Sequence, residues 1–596
     1  PDEGSLSELV AHIDGYLCEI KDIQVKDGLH VLGQPPTGDQ LRGLVAAVLR
    51  LGSGEVPGLR VAIGAALGVD ERALVEARER DGVDRLERKQ TELLDAFAAR
   101  GWQADAAAEV CRAVLGQPDS GVEAVLRLAA EEVVPRIRAT TGELDSVLAA
   151  LRGRHVPAGP SGSPTRGRLD VLPTGRNFYS VDPRALPSEL SWEVGQQLAD
   201  RLLERHRHDT GELPRMVGLV VWGTSAMRTQ GDDVAEILAL LGIRPTWHPE
   251  TRRVNGLEVM PLSELDRPRI DVTVRISGFF RDAFPHLVRL LDDAVATVAG
   301  LDEGPEENYI AAHARADAER LAEELGAEPA WRRATARVFG SRPGTYGAGL
   351  IQLLDTRDWR AEAELAQVYE AWGGYAYGRS LNGEAAPEAM RDCFSRIDAA
   401  VKNVDNREHD ILDSDDYYQY HGGMVATVRA LTGREPAAYI GDGSDPSRVA
   451  ARPLAEEARR VFRARVANPR WIASMIRHGY KGAAELSATV DYLFGYDATT
   501  GVVDDWMYEQ VAQRYALDPD VAQFMSQSNP WAARAIAERL LEAADRGLWA
   551  QPSPDTLTGL RDRFLALEGE LEEEPDDSPA LRPWRARTAS GGVGEA

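Results

Sequence analysis

The stretch RIDVTVRISGFFRDAFPHLVRLLDDAV, residues 269–295, decides the fold class. From Ile270 to Ile276 apolar and polar residues alternate, which predicts a β-strand with one covered face. Ser277-Gly278 ends the strand, and apolar residues from Phe280 onward recur at three- and four-residue steps, which predicts an amphipathic helix. Strand, small-residue turn and helix form the repeating unit of an α/β domain, in which ligands bind at the turns.

Two other stretches have the same organisation. MVGLVVW (216–222) is a continuous apolar run, typical of a strand buried on both faces, and it ends at Gly223-Thr224-Ser225. ATARVFG (334–340) is a weaker strand that ends at Ser341. If the three strands are parallel neighbours, their carboxyl ends bring three small-residue loops to one edge. The arginines predicted at that edge are Arg228, Arg281 and Arg342.

The totals are those of a soluble globular protein with an acidic surface. The chain has 596 residues, of which 43% are apolar and 27% charged, and its formal net charge is −27. This charge disfavours nucleic acid and anionic membranes as partners, and no apolar run approaches the roughly 20 residues of a membrane helix. The three cysteines, Cys18, Cys111 and Cys393, lie far apart, which fits a reducing cytosol.

The pattern along the chain predicts an α/β fold with large helical regions, in which a parallel, doubly wound sheet domain is flanked by helical domains. The proline- and glycine-rich stretch after the first helical region also contains apolar and aromatic residues, which favours an ordered loop over a flexible linker. The predicted divisions are a helical domain with a GLHVLGQPP connector (1–155), the ordered loop (156–188), the α/β domain (189–350), a mainly helical domain (351–570) and a disordered tail (571–596).

Several catalytic motifs are missing from the sequence. There is no G-x-x-x-x-G-K-[ST], so we expect no ATP hydrolysis through a P-loop in this chain. There is also no GxGxxG after a strand, no HExxH and no GxSxG elbow. Single carboxylates and histidines in turn-rich places remain as the candidates for chemistry.

Glu19 and His30 form the first candidate pair, because a carboxylate and an imidazole near a helix end can share a proton or a metal. Spacing alone favours a capping histidine beside a surface salt bridge. His421 follows three tyrosines in DSDDYYQYHGG (413–423), which fits either a helix start or a site for a flat aromatic ligand. His478 precedes a glycine, as a histidine at a helix C-terminus does.

Several motifs together resemble one family, the large subunit of cobaltochelatase, which is related to the H subunit of magnesium chelatase. The resemblance covers nearly the whole chain to about residue 565, in order, and is more specific than any single short motif. The stretches that carry it include YLCEIKDIQVKDGLHVLGQPP (16–36), VPAGPSGSPTRG (156–167), VLPTGRNFYSVDP (171–183), VVWGTSAMRTQGDD (220–233), RVFGSRPGTYGAGL (337–350), DSDDYYQYHGGM (413–424) and NPRWIASMIRHGYKG (468–482).

The resemblance implies insertion of a divalent metal into a tetrapyrrole, with ATP and Mg²⁺ bound only by separate AAA+ partner subunits. DYYQYHGG is more similar to the cobalt branch, which implies Co²⁺ as the substrate metal and hydrogenobyrinic acid a,c-diamide as the macrocycle. It further implies that the chain corresponds to the carboxyl-terminal half of family members.

Metallation must strip water from the ion and remove inner protons from the ring, and carboxylate and imidazole can do both in turn. We therefore predict Glu19, His30, His421 and His478 as catalytic residues, the first three also as transient metal ligands. Ring carboxylates attract arginine and backbone N–H groups, and the ring faces attract aromatic side chains. The predicted substrate-binding residues are Arg176, Trp222, Thr224, Arg228, Ser277, Phe280, Arg281, Arg342 and Tyr346.

Three other functions fit the residues as well. The first is a magnesium chelatase H subunit that acts on protoporphyrin IX. The second is a tetrapyrrole-binding scaffold without turnover of its own, and the third is a helical interaction protein with no ligand. For the cobaltochelatase interpretation we expect one pocket, large enough for a macrocycle, enclosed by the rim of the central sheet and by single acids and imidazoles of the flanking helices.

Overall fold

The computed structural model describes residues 28–76, 80–179 and 181–573. By its internal contacts the chain divides into two compact units. The first comprises Pro1–Ser474 and Asp491–Val503, and the second comprises Met475–Val490 and Asp504–Ala596. No helix of the described ranges combines the length and the apolar character that crossing a membrane requires.

The first unit is organised around an eight-stranded, mostly parallel sheet with helices on both faces. The twelve strands of the described residues are β1 (Ala158–Pro160), β2 (Asn177–Tyr179), β3 (Met216–Val221), β4 (Ile243–Trp247), β5 (Val254–Val259), β6 (Asp271–Ile276), β7 (Val338–Gly340), β8 (Tyr375–Tyr377), β9 (Asn382–Ala385), β10 (Ala399–Val404), β11 (Ala437–Asp442) and β12 (Ala450–Pro453). The order in the large sheet is β12-β11-β10-β3-β6-β7-β8-β9. Its five central strands run parallel, and β12, β8 and β9 pair antiparallel at the edges. The predicted fold class is confirmed.

The three predicted strands are parallel neighbours, as expected. β3 pairs with β6 from Met216↔Asp271 to Val221↔Ile276, and β6 pairs with β7 at Val274↔Val338. The expectation that β6 has one covered face is wrong, because all six of its residues are buried. Its polar residues find partners inside: the Arg275 guanidinium lies 5.3 Å from the Tyr369 ring centre and 5.1 Å from that of Tyr420.

The sheet extends beyond residue 350, where we expected the α/β region to end. Five of its strands, β8 to β12, lie at residues 375–453 within the range predicted to be mainly helical. These strands are short or carry polar residues, as in AAVKNV and AAYIGD, so they show neither a long apolar run nor clean alternation.

Helices account for most of the remaining described residues. Those before the sheet are Gly38–Val48, Leu59–Leu67, Glu71–Glu76, Arg80–Ala99, Ala107–Leu115, Ser120–Leu128, Val134–Arg138 and Gly142–Leu151. Those among the strands are Glu189–Thr210, Gly223–Thr229, Asp232–Leu241, Leu262–Leu265, Gly278–Ala283, Pro285–Ala299, Tyr309–Leu325, Ala327–Ala334, Leu350–Thr356, Glu362–Gly373, Pro387–Phe394 and Gly423–Thr432. Those after the sheet are Leu454–Val461, Pro469–Ile476, Gly479–Thr500, Asp505–Val511, Pro519–Ser528, Pro530–Asp545 and Pro554–Glu573.

The proline- and glycine-rich segment 156–188 forms turns and a short parallel pair, β1 with β2. Arg50 connects the helices before it to the sheet, because its guanidinium donates to Asp445 (2.9 Å) and to the Thr165 carbonyl (3.3 Å). Ser163 and Thr165 donate to Glu408 at 2.6 and 2.7 Å. The segment therefore packs between the helical region and the sheet.

A buried ion pair holds the amino ends of β6 and β7. Asp271 is fully buried and accepts two hydrogen bonds from Arg337, at 2.8 and 3.0 Å. His313 Nδ1 lies 2.8 Å from the same carboxylate. Burial raises the pKa of Asp271, but Arg337 and His313 outweigh it and leave the pKa below its ordinary value.

We expect Asp271→Ala to lower the free energy of unfolding of the first unit by about 3–5 kcal/mol, because it leaves the buried Arg337 charge uncompensated. Urea unfolding followed by circular dichroism measures the change. Glu264→Ala is the control, since it removes the partner of Arg244 at the surface and should cost less than about 1 kcal/mol. Equal effects of the two substitutions would show that the buried pair does not hold the sheet.

Candidate functional site

The loops after β3, β6 and β7 meet at the carboxyl edge of the sheet and are called the rim here: residues 222–224, 277–279 and 341–346. Ser277 joins two of them, because its Oγ accepts hydrogen bonds from the Gly223 N–H (3.3 Å) and, as a helix N-cap, from the Phe280 N–H (3.1 Å). A Cβ on Gly223 would lie 2.6 Å from the Phe279 ring, so only glycine fits this approach. The predicted convergence of three small-residue loops is confirmed.

Arg281 fastens the third loop to the rim. Its Nη1 donates to the carbonyls of Ser341 (3.1 Å), Arg342 (2.9 Å) and Thr345 (3.1 Å). Its other two nitrogens donate to Asp282 at 2.6 and 2.8 Å. This guanidinium is only 6% exposed, so it serves the loop and is not open to a ligand carboxylate.

The aromatic side chains at the rim divide into exposed and buried ones. Phe280, predicted to contact the ring, is fully buried against Phe284, while the adjacent Phe279 is 39% exposed. Tyr346 is 61% exposed, and its hydroxyl donates to Asp282 at 2.6 Å. Arg342 is exposed as well. The helical step beginning at Ser277 turns Phe280 inward, so Phe279 is the phenylalanine that lies at the surface.

Trp222, the first rim residue after β3, packs toward the sheet interior. Its ring centre is 4.8 Å from that of Tyr417 and 6.4 Å from that of Tyr420. The ammonium of Lys402, which is fully buried in β10, lies 4.2 Å from the Trp222 ring centre. This is a cation–π contact in a desolvated place, where such contacts are strongest.

A group of buried charged and polar side chains, called the buried charge cluster here, lies behind Trp222: Arg166, Arg228, Asp232, Asp233, Glu236, Lys402, Asn403 and Asp405. Arg228 binds Asp405 through two hydrogen bonds of 2.7 and 2.8 Å, and Arg166 donates to Asp232 at 2.5 Å. The Asn403 side-chain amide donates to Asp233 (2.9 Å) and to Glu236 (2.5 Å). Arg228, predicted to bind substrate, is therefore committed to Asp405.

Burial decides the direction of the pKa shift at three members of this cluster, Asp232, Glu236 and Lys402. It raises the pKa of Asp232 to about 7, against the attraction of Arg166, and that of Glu236 to about 8, against the Asn403 hydrogen bond. Burial also lowers the pKa of Lys402, although Asp233 and Asp405 oppose that shift. A proton therefore stays on Glu236 near neutral pH, which reduces the excess negative charge in the interior.

His421 is fully buried in a π-helical turn, Tyr417–Gly422, that leads into helix Gly423–Thr432. Its Nε2 lies 3.0 Å from the Ala400 carbonyl of β10, so this nitrogen carries the proton and donates. Its Nδ1 is 3.5 Å from the Tyr496 hydroxyl. Burial lowers the pKa of His421 to about 4, so the ring is neutral, and the lone pair of its Nδ1 faces the Tyr496 hydroxyl in the buried interior.

His30 has a carboxylate partner that we did not expect. Its Nε2 lies 2.9 Å from Oε2 of Glu143, at the start of helix Gly142–Leu151, and the Gly33 N–H donates to the same oxygen at 2.8 Å. Burial raises the pKa of Glu143, but the hydrogen bonds from Gly33, Thr174 and His30 bring it below its ordinary value. Glu19, the predicted partner, lies outside the described residues.

Arg176 lies in the loop that packs against Glu143. Its Nε donates to the Pro173 carbonyl (3.0 Å) and its Nη2 to the Asp170 carbonyl (2.7 Å). A Cβ on Gly175 would lie 2.9 Å from the Glu143 Cα. The loop thus brings Arg176 and His30 to the same neighbourhood.

Two predicted residues remain, Thr224 and His478. Thr224 is exposed at the rim. His478 lies in the second unit, where its N–H donates to the Met475 carbonyl at 2.9 Å. Burial and then the charge of Arg477 lower the pKa of its imidazole. Within the described ranges, no group of three or more His, Cys, Asp or Glu side chains could hold a metal ion.

Two cavities of the first unit lie away from the predicted residues. A groove of about 540 Å³ is lined by Arg201 and Arg205 of helix Glu189–Thr210 and by Ala450 and Ala451 of β12. A smaller cavity, about 40 Å³, lies at the carboxyl ends of β10 and β11. None of the predicted site residues lines either of them.

Comparison with known proteins places this arrangement in a family. The family model CobN/Magnesium Chelatase matches residues 1–556. The chain belongs to this family. It is 47% identical, over 94% of its length, to a protein named aerobic cobaltochelatase subunit CobN from Pseudomonas aeruginosa, and it covers 46% of that protein. It thus spans about half the length of the curated cobaltochelatase relative.

Two further relatives represent the cobalt branch and the magnesium branch of the family. A solved structure titled the catalytic subunit of cobaltochelatase from Mycobacterium tuberculosis is 59% identical with a TM-score of 0.90, covering 96% of this chain and 47% of that one. The H subunit of the magnesium chelatase from Chlorobaculum parvum is 33% identical over 73% of this chain and 34% of its own length. The cobalt branch is therefore more similar to this chain.

Sequence reasoning missed Glu143 and most of the buried charge cluster. Glu143 is one of two acids in the first turn of a helix, a pattern that indicates only a favourable dipole. Lys402, the one charged residue of the strand AAVKNV, was a usable signal, because a buried lysine requires compensating charges nearby.

We expect Glu236→Gln to flatten the pH dependence of stability in the first unit. The folded chain keeps Glu236 protonated up to about pH 8, whereas the unfolded chain ionises it near its ordinary value. The contribution of protonated Glu236 to the free energy of unfolding is therefore complete below the pKa that Glu236 has in the unfolded chain. It is lost as the pH rises through the pKa that Glu236 has in the folded chain.

Melting temperatures between about pH 6 and pH 9 check this expectation, since the window spans the folded pKa. The decline with rising pH should be smaller in Glu236→Gln than in the unchanged chain, with Asp232 responsible for part of what remains. Glu264→Gln, at the surface, should keep the original slope. A decline as steep in Glu236→Gln as in the unchanged chain would contradict the assignment.

Proposed function

We propose that this chain forms the substrate-binding and catalytic part of an ATP-dependent cobaltochelatase. The complete subunit inserts Co²⁺ into hydrogenobyrinic acid a,c-diamide in cobalamin biosynthesis, in the cytoplasm. ATP and Mg²⁺ bind only to its AAA+ partner subunits, in keeping with the missing P-loop motif. The observation that carries the proposal is the 59% identity and TM-score of 0.90 to the cobaltochelatase catalytic subunit of known structure.

The described residues suggest a division of labour. His30, whose side chain is 58% exposed beside the buried carboxylate of Glu143, accepts an inner proton of the macrocycle or binds Co²⁺ in passing. The exposed rim residues Phe279 and Tyr346 offer apolar surface to a ring, and Arg342 offers charge to a ring carboxylate. Weak, single ligands suit a metal that has to be released into the substrate.

The alternative within the family is a magnesium chelatase H subunit acting on protoporphyrin IX. Its support is the 33% identity to such a protein, well below the 47% to the cobaltochelatase relative. Supplying the complete complex with both metals and both macrocycles separates the two functions. Magnesium insertion into protoporphyrin without cobalt insertion would favour the alternative.

We expect Glu19→Ala and His30→Ala, each made in the complete subunit with its partners, to slow cobalt insertion by about 100-fold or more, because each removes a proton acceptor or transient ligand. The visible absorption of the corrinoid reports the rate. His208→Ala is the control, since that side chain is 81% exposed in the last turn of helix Glu189–Thr210.

An unaltered rate in both Glu19→Ala and His30→Ala would refute the catalytic assignment. Corrinoid binding with no turnover in the unchanged complex would instead indicate a tetrapyrrole-binding scaffold. The two results are distinguishable because the second concerns the unchanged complex.

A further inference from the structure

Glu143 connects three segments of the chain through one carboxylate. Its Oε2 accepts from the Gly33 N–H (2.8 Å) and contacts His30 Nε2 (2.9 Å), and Thr174, beside Gly175, helps to lower the pKa of the same carboxyl group. The side chain is only 7% exposed. The connector before the first described helix, the start of helix Gly142–Leu151 and the loop around Gly175 therefore meet at this group.

The backbone is shaped to bring these segments close. Gly33 has φ +72°, and a Cβ there would lie 2.7 Å from the Leu144 side chain. Gly175 has φ +77°, and a Cβ there would lie 2.9 Å from the Glu143 Cα. Both positions require glycine for conformation and for space, so the turns on either side of Glu143 are built for close approach.

The hydrogen bonds determine which nitrogen of His30 carries the proton. A backbone N–H can only donate, so Glu143 Oε2 accepts from Gly33 and takes the same role toward His30. Nε2 is then the protonated nitrogen of the neutral ring, and Nδ1 keeps its lone pair. More than half of the His30 side chain is exposed, so the ring is reachable from solvent.

We propose that Glu143 is a positioning residue for metal insertion, which holds His30 in the tautomer whose Nδ1 can accept a proton or bind Co²⁺ transiently. The inference rests on the proposed function for its chemistry, while the tautomer itself follows from the contacts. A carboxylate that accepts from the far N–H of a histidine fixes the ring orientation in many metal sites. Here the same arrangement prepares a histidine for a metal that only passes through.

The tautomer is measured directly by NMR on this chain labelled with ¹⁵N-histidine. The chain has 11 histidines, and the signals of His30 are assigned as those that disappear in His30→Gln. The unchanged chain should show the Nε2–H form at His30. Glu143→Gln keeps an oxygen acceptor and should keep this form, whereas Glu143→Ala should yield a mixture of both tautomers. The Nδ1–H form in the unchanged chain, or an unaltered tautomer in Glu143→Ala, overturns the proposal.

Activity is measured in the complete subunit with its partners, Co²⁺ and the metal-free corrinoid. Glu143→Ala should lower the insertion rate by about 10- to 100-fold, as loss of such a partner does in metal sites, and Glu143→Gln should restore most of it. Asp145→Asn, exposed on the same helix, should leave the rate unchanged.

The two measurements together separate a positioning role from a merely structural one. If Glu143→Ala does not fold, the tautomer of the unchanged chain and the rate of Glu143→Gln still decide the matter. An insertion rate in Glu143→Ala equal to that of the unchanged protein overturns the positioning role. Absence of insertion by the unchanged complex counts against the proposed function instead, because the tautomer prediction does not depend on it.

Discussion

The pairing of β3 with β6 is the constraint on which the rest of the rim depends. Six consecutive residue pairs hold the strands in parallel register, so both end at the same level. Trp222 and Ser277 therefore follow their strands side by side, and the Gly223 N–H reaches the Ser277 hydroxyl. A shift of one residue would turn every side chain of either strand to the opposite face. The buried Arg275 and Asp271 of β6 would then lose their partners, which makes the register expensive to change.

Two of the arginines near the rim are bound by carboxylates and carbonyls of the chain itself. Arg281 and Arg228 occupy the edge where a substrate carboxylate could be expected, yet both are consumed by Asp282, Asp405 and loop carbonyls. The net charge of the chain is −27, and the carboxylates of these pairs neutralise two of its arginines. The two arginines therefore contribute little to the attraction of an anionic ligand. Attraction for an anionic macrocycle at this edge thus depends on exposed groups such as Arg342 and on backbone N–H groups at helix starts.

The sequence was sufficient for β3, β6 and their loops, because apolar runs that end at small residues have a local signature. It was insufficient for β10, where Lys402 and Asn403 interrupt the pattern, because their partners include the acids of a helix about 170 residues earlier. The helical spacing places Phe280 on the same apolar face as Phe284, which already indicates burial. Its prediction as a ring contact considered only its position after β6, and Phe279 is the exposed phenylalanine. The sequence pattern also gives no sign that Glu143 is the partner of His30, since the two residues lie 113 positions apart in the chain.

The segment between residues 156 and 188 contacts both the buried charge cluster and the His30–Glu143 pair. At one point Arg166 donates to Asp232 in the buried charge cluster, and about ten residues later the Thr174–Arg176 turn packs against Glu143, the partner of His30. A loop held at both places by buried contacts cannot move at one without strain at the other. The same segment thus contacts both the His30–Glu143 pair and the interior acids behind Trp222, which include Glu236, the residue that holds a proton near neutral pH. This covalent link is a physical reason for treating the histidine pair and the sheet edge as parts of one site.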